Sequence, residues 1–412
     1  MQKMNIRPYQ IENAIKGAEI LKQKKFVYLI MQPRTGKTLT ALEIAKICDY
    51  KNVLFITKKK AISSVISDYN TFEYTFALTV INNESLHTIN DKFDLIISDE
   101  NHRVGAFPKP SNTTKDIKKR FGHLPIIALS GTPSVESGSQ WYHSFWISNY
   151  SPFKNYPTFY KWAKDFVKIS KKRIGAFEIN DYTESIDNKI LPIIEPYLVK
   201  YTQQEAGFSS KVNKHIIYFN QDEKTNILIS KLRKDLIVEG VEEVILADTS
   251  VKLMQKIHQL ENGTIKFESG KSMTLSKTKA EFIKSKFTNK KIAIFYYFIE
   301  ELNLLKEVFQ NYTTDLNEFN TTDKIYIGQQ YSNSLGVNLS KAESLVFYNF
   351  GYSGTNFIQA IDRLTIKERL VNDVYFIFEK NSLTNKIYQA VNDKKNYSDK
   401  LFKKQYGIQT PN

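Results

Sequence analysis

A single cysteine, Cys48, stands in a chain of 412 residues. It excludes a disulfide framework and any zinc site built from cysteines. Glycine and proline number only 16 and 11, and no Gly/Ser or Pro-rich linker, internal repeat or low-complexity tract interrupts the chain, which excludes collagen-like and disordered classes. No apolar run approaches the roughly 18 residues that span a bilayer. The longest, Phe26–Met31 and 292–298, are strand-sized. The opening MQKMNIRPYQ has neither the apolar stretch of a secretion signal nor transit-peptide character. The expectation is a cytoplasmic protein of bacterial or phage-infected cells with no membrane partner, acting as a monomer. Acidic residues are in deficit, 43 against 58 Lys plus Arg, giving a net charge of +15. A surplus of that size points to a polyanion, with a plain solubility charge as the alternative. The basic clusters are dispersed (22–25, 58–60, 118–120, 171–173, 403–404), which favours a surface or channel over a basic tail.

What is present is a repeated rhythm of a short apolar strand followed by a helix. Phe26–Met31, 53–56, 76–81, 93–97 and 125–129 are apolar with little alternation, and KTLTALEIAKIC after the first has helical periodicity. Continuous apolar strands alternating with helices predict an α/β fold, a parallel sheet covered on both faces. From about 136 to 289 the rhythm lapses into aromatic-rich segments (141–146, 156–162) and helical stripes (225–259). It returns at 291–297, 324–327, 344–348 and 374–378. The division expected is a first lobe over 1–210 with a helical extension from about 140, a helical linker over 211–275, and a second lobe over 276–412.

Three segments carry chemistry. QPRTGKT (32–38) follows a strand and opens a helix, the setting of a phosphate-binding loop. Its amides and helix N-terminus would cradle phosphates, Lys37 would reach the terminal oxygens and Thr38 would hold Mg²⁺. FDLIISDENH (93–102) delivers Asp99 and Glu100 at the C-terminal end of a strand, where ligands bind in open α/β sheets. One carboxylate there can hold Mg²⁺ and the next can polarise an attacking water. A solvated acidic turn is the bland alternative. SGTP (130–133) alone is a good turn.

IRPYQ, QPRTGKT, DENH and SGTP, in that order, resemble motifs 0, I, II and III of the superfamily 2 helicases and translocases. VLFITKKKAI is similar to motif Ia and VINNESL to motif Ib. KIAIFYYFIEEL, SNSLGVNLSKAESLVFYNF and QAIDRL resemble motifs IV, V and VI. The QAIDR and RPYQ forms look most like the Swi/Snf-type branch and compact phage-encoded DExH relatives. The resemblance implies two RecA-like P-loop lobes and ATP with Mg²⁺ as cofactors. Arg7 and Gln10 would face the adenine, and Thr35, Gly36, Lys37 and Thr38 would bind phosphate. Asp99 and Thr38 would hold the metal, and Glu100 would act on the water. His102, Ser130 and Thr132 would couple nucleotide to the second lobe. Gly336 and Asn338 occupy motif V positions, and Gln359 and Arg363 would reach across the cleft, Arg363 as an arginine finger.

Two departures stand out. The family's second motif VI arginine is Ile366 here, with Lys367 and Arg369 just beyond, and Met31 and Arg34 stand in motif I where small residues are common. Trp141, Trp146 and Trp162 read first as packing and second as a base-stacking platform. Lys58–Lys60 could touch phosphate or sit as a solvated cluster. The implied function is an ATP-dependent DNA helicase or translocase, with DNA favoured over RNA and forked or branched duplexes as a use. An RNA helicase and a non-catalytic nucleic-acid-binding module with a decayed ATPase are the alternatives.

Overall fold

The computed structural model describes residues 6–134, 137–174, 177–207, 211–240, 242–330, 339, 341–361, 371–393 and 395–406. The chain divides into two compact units, residues 1–208 and 209–411.

The first unit is built on β1 (Phe26–Met31), β2 (Asn52–Thr57), β3 (Ala77–Asn82), β4 (Leu95–Ser98) and β5 (Ile126–Ser130). A hairpin follows, β6 (Ser170–Ile174) with β7 (Phe177–Asp181), and then β8 (Leu198–Tyr201). The sheet order is β3-β2-β4-β5-β1-β8, every pair parallel. β1, β2, β4 and β5 are buried almost throughout, which is why they read as unbroken apolar runs. Successive side chains serve opposite faces. Val27, Leu29 and Met31 join α1 (Pro8–Lys24) and α2 (Lys37–Ile47) in one core. Phe26 and Tyr28 join Ile117, Phe121 and the aromatic helices Gln140–Trp146 and Phe159–Phe166 in the other. Trp141 and Trp162 are buried there, so these two are packing residues.

The second unit has the same plan. β9 (Lys211–Tyr218) is followed by two small hairpins, β10 (Ile237–Glu239) with β11 (Val244–Leu246) and β12 (Thr264–Lys266) with β13 (Ser272–Thr274). The sheet continues with β14 (Ile292–Tyr296), β15 (Tyr312–Thr313), β16 (Ile325–Gln329), β17 (Ser344–Phe347) and β18 (Val371–Phe378), in the order β15-β16-β14-β17-β18-β9, again all parallel. Both units are thus α/β with all-parallel six-stranded sheets, the fold class expected from the sequence.

The segment 211–275 is not a separate helical linker. Its first strand, β9, pairs with β18 over eight residues. Its helices Glu223–Asp235 and Ser250–Leu260 contribute Leu232, Leu253 and Ile257 to the core that holds Phe376 and Phe347. The same core carries a buried polar network. The Glu301 carboxylate accepts from the Tyr297 and Phe298 backbone N–H groups at 2.8 and 3.0 Å and from Asn349 Nδ2 at 2.5 Å. His258 Nε2 meets Asn349 Oδ1 at 2.7 Å. Burial raises the Glu301 pKa and lowers that of Lys279 facing it.

Candidate active site

The loop 32–36 leaves β1 and opens α2. The Thr35 N–H and hydroxyl both donate to the Gln32 carbonyl, at 3.3 and 2.8 Å, so the Thr35 side chain closes the loop. Arg34 and Gly36 take left-handed backbone, φ 65° and 82°. A Cβ at Gly36 would lie 1.7 Å from Gln10 Nε2, so both conformation and space require glycine there. Gln10 is buried, accepts from the Arg7 N–H at 2.9 Å and donates to the Thr35 carbonyl at 3.5 Å. It therefore latches α1 to the loop, while the exposed Arg7 donates to the Tyr9 hydroxyl at 3.0 Å. A second latch comes from beyond β8, where the Gln203 N–H donates to Gln32 Oε1 at 2.7 Å and Gln203 Nε2 to the Pro33 carbonyl at 2.9 Å. Gln203 carries no sequence signal, since its partner lies 171 positions away. Lys37 and Thr38 sit in the first turn of α2, where unpaired N–H groups and the helix dipole favour an anion.

The carboxylates stand at the same edge of the sheet. The registers Ile30↔Ser130, Ala128↔Ser98 and Ser98↔Ile56 put the C-terminal ends of β1, β5, β4 and β2 in a row. The strand that delivers Asp99 is separated from the loop strand by β5 alone, and a Cβ at Gly131 would touch the Pro33 ring at 3.2 Å. Asp99 accepts from the Thr57 hydroxyl at 2.8 Å and from the Glu100 N–H at 2.9 Å. Burial, and then the neighbouring Glu100 charge, raise its pKa. Glu100 adopts φ 50°, ψ 41°, a left-handed conformation that costs a residue with a Cβ about 1–2 kcal/mol. Burial pushes its pKa up, but its basic neighbours, Lys37 first and then Lys58, outweigh burial and hold it below the usual carboxylate range. Lys58 Nζ lies 3.9 Å and His102 Nδ1 3.2 Å from the Glu100 carboxylate. Lys58 therefore faces inward to this carboxylate.

His102 Nδ1 also lies 3.2 Å from Ser130 Oγ, so motifs II and III meet through one ring nitrogen. Burial lowers the His102 pKa to about 4, which leaves the imidazole neutral near pH 7. Ser130 Oγ accepts from the Thr132 N–H at 3.1 Å. One lobe thus brings together Gln10, Thr35, Gly36, Lys37, Thr38, Asp99, Glu100, His102, Ser130 and Thr132. Gln359 lies on the helix Gly354–Ile361 of the second unit, and Gly336, Asn338 and Arg363 fall outside the described residues.

The donor set fits Mg²⁺. That ion keeps several waters and takes one or two protein ligands beside substrate phosphates, and the half-buried Asp99 with Thr38 would supply such a set. No cluster of three His, Cys, Asp or Glu that could cage a metal alone occurs among the described residues.

The model of the family described as "Type III restriction enzyme, res subunit" matches residues 3–73 and 64–135. No curated protein matches the chain. Among solved structures, the Sulfolobus solfataricus SWI2/SNF2 ATPase core in complex with dsDNA is 15% identical, with 98% of this chain and 93% of that chain covered and a TM-score of 0.43. The SWI2/SNF2 ATPase core domain of the same organism is 16% identical, with 95% and 89% covered and a TM-score of 0.41. The family match spans the loop, both carboxylates and motif III, and over those residues the chain resembles the ATPase lobe of the superfamily 2 helicases.

Proposed function

We propose that this chain hydrolyses Mg-ATP and couples the hydrolysis to movement on DNA. The observation that carries this reading is geometric: in one sheet, the phosphate loop with Lys37 leaves the C-terminal end of β1, and Asp99 and Glu100 leave the C-terminal end of β4, with β5 alone between the two strands. The loop amides and the α2 N-terminus bind the phosphates. Lys37 stabilises charge on the terminal phosphate oxygens, Asp99 and Thr38 hold the metal, and Glu100, kept deprotonated by its basic neighbours, orients and polarises the attacking water. Mg²⁺, when bound, neutralises charge developing on the phosphates. His102, neutral and bonded toward Ser130, links the carboxylate turn to motif III. DNA is preferred to RNA on the Swi/Snf-like forms of QAIDR and RPYQ.

Arg363 is the proposed finger, and Ile366 leaves motif VI with one arginine fewer than the family pattern. Arg363→Ala is expected to cut stimulated turnover by roughly 10³–10⁵-fold while nucleotide binding survives. Ile366 also favours a second reading, a nucleic-acid-binding module with a decayed ATPase. ATP turnover measured without nucleic acid and with single-stranded, duplex and forked DNA and RNA separates the readings. Stimulation by DNA supports the motor, stimulation by RNA alone moves it to RNA, and no turnover with any of them leaves the binding module.

A further inference from the structure

The residue after Glu100 is fully buried and bonded in two directions. Asn101 Oδ1 accepts from the Ser98 hydroxyl at 3.0 Å, and Asn101 Nδ2 donates to the Ser144 carbonyl at 3.3 Å. Ser98 ends β4, and Ser144 lies on the helix Gln140–Trp146, which begins the aromatic module. The turn Asn101–Gly105 lies hard against that helix. A Cβ at Gly105 would stand 2.8 Å from both the Gln140 carbonyl and Ser144 Oγ. His143 Nδ1 donates to the Ala106 carbonyl at 2.6 Å, just past the turn. The left-handed backbone of Glu100 persists only where its surroundings over-determine it. Immediately after it, the Asn101 amide bonds Ser98 on one element and Ser144 on another.

We propose that Asn101 is a positioning residue for Glu100, and that its carboxamide makes the helix Gln140–Trp146 part of the hydrolytic apparatus. The amide has one donor and one acceptor engaged on opposite sides, so it sets the distance between the end of β4 and the helix. The water-directing carboxylate is held at the orientation this strut allows. The bonds of Asn101 run to Ser98 and Ser144 and not, among the described residues, to the nucleotide loop, so the strut is expected to act on the chemical step and not on ATP affinity. The inference rests on Glu100 being the hydrolytic carboxylate.

The test compares DNA-stimulated ATP hydrolysis of the parent, Glu100→Gln, Asn101→Ala and Ser98→Ala, with circular dichroism on each. If the parent turns over ATP and Glu100→Gln does not, the hydrolytic reading stands; otherwise that reading fails, independently of Asn101. Asn101→Ala is expected to lower kcat about tenfold or more with KM nearly unchanged, since a misplacement near 1 Å costs roughly 10²-fold. A fall below about threefold, or one matched by a rise in KM, overturns the proposal. If Asn101→Ala does not fold, Ser98→Ala decides. It removes one bond of the strut, and it too must lower kcat without raising KM; unchanged kcat overturns the proposal.

Discussion

Gly36 shows how much one residue can announce. Its left-handed backbone and the Gln10 carboxamide lying against its Cα leave room for no side chain, and GKT after a strand marks that position in the sequence. Lys37, Asp99 and Glu100 are conspicuous in the sequence as charged residues that follow apolar strands, and the structure puts Lys37 at the start of α2 and Asp99 and Glu100 directly after β4. Asn101 and Gln203 were not legible. Each is an ordinary polar residue tied to a partner 43 or 171 positions away, Asn101 to Ser144 and Gln203 to Gln32, and these long-range bonds leave no local pattern. His143 is another such residue. It is buried, its Nδ1 faces the Ala106 carbonyl, and burial lowers its pKa from the usual 6.5 to about 4. The unfolded chain therefore takes up this proton first as pH falls. The stability contributed by neutral His143 is full above about pH 6.5 and is lost as pH drops toward about 4. Urea unfolding of the parent and His143→Gln at pH 7 and pH 5 should show the parent's relative stability falling on the order of 1–2 kcal/mol between the two. A constant difference would mean that the His143 pKa is the same in the folded and unfolded chain.

Strands that are buried on both faces could be read directly. β1 falls on the expected residues Phe26–Met31 and β17 within 344–348. The edge strands β8 and β9 could not, although β3, also at an edge, falls close to its expected place. β8 is four residues long, and β9, KVNKHIIY, alternates exposed and half-buried positions. Neither makes an apolar run, and β9 looked like linker because Lys211, Asn213 and Lys214 sit at its exposed edge. The aromatic module was visible as composition but not as architecture. Its helices Gln140–Trp146 and Phe159–Phe166 bring Tyr142, Phe153, Phe159 and Phe166 within ring contact of Trp162, whose indole is fully buried. Trp162→Ala should destabilise the first lobe by about 3–5 kcal/mol, measured by denaturant midpoint with an unchanged slope. A loss below about 1 kcal/mol would show that the module closes over the cavity.

For the whole chain, the charge of +15 is spread over both units, and part of it is spent inside the fold. Arg120 donates to the Leu86 and Ile89 carbonyls, and Lys118 lies over the Trp146 ring and bonds Asn149. At the surface, Lys171 pairs with Glu178. The basic cluster at 118–120 is therefore partly structural, which charge counting could not foresee. The remaining surplus still suits a backbone-tracking protein. DNA binding that neutralises six or more phosphates should lose about 10³-fold or more in affinity between 50 and 200 mM salt, with little sequence preference. A flat titration, or one strongly preferred sequence, would contradict it. The central claim is that the Lys37–Asp99–Glu100 site of the first lobe hydrolyses ATP in the service of DNA movement. Steady-state hydrolysis by the parent and by Lys37→Ala, each with and without duplex DNA and alongside a DNA-binding isotherm, tests it most directly. The account predicts DNA-stimulated turnover in the parent, none in Lys37→Ala, and affinities for DNA within a few-fold of each other. Equal turnover in a folded Lys37→Ala, or a parent whose hydrolysis ignores DNA, would contradict it.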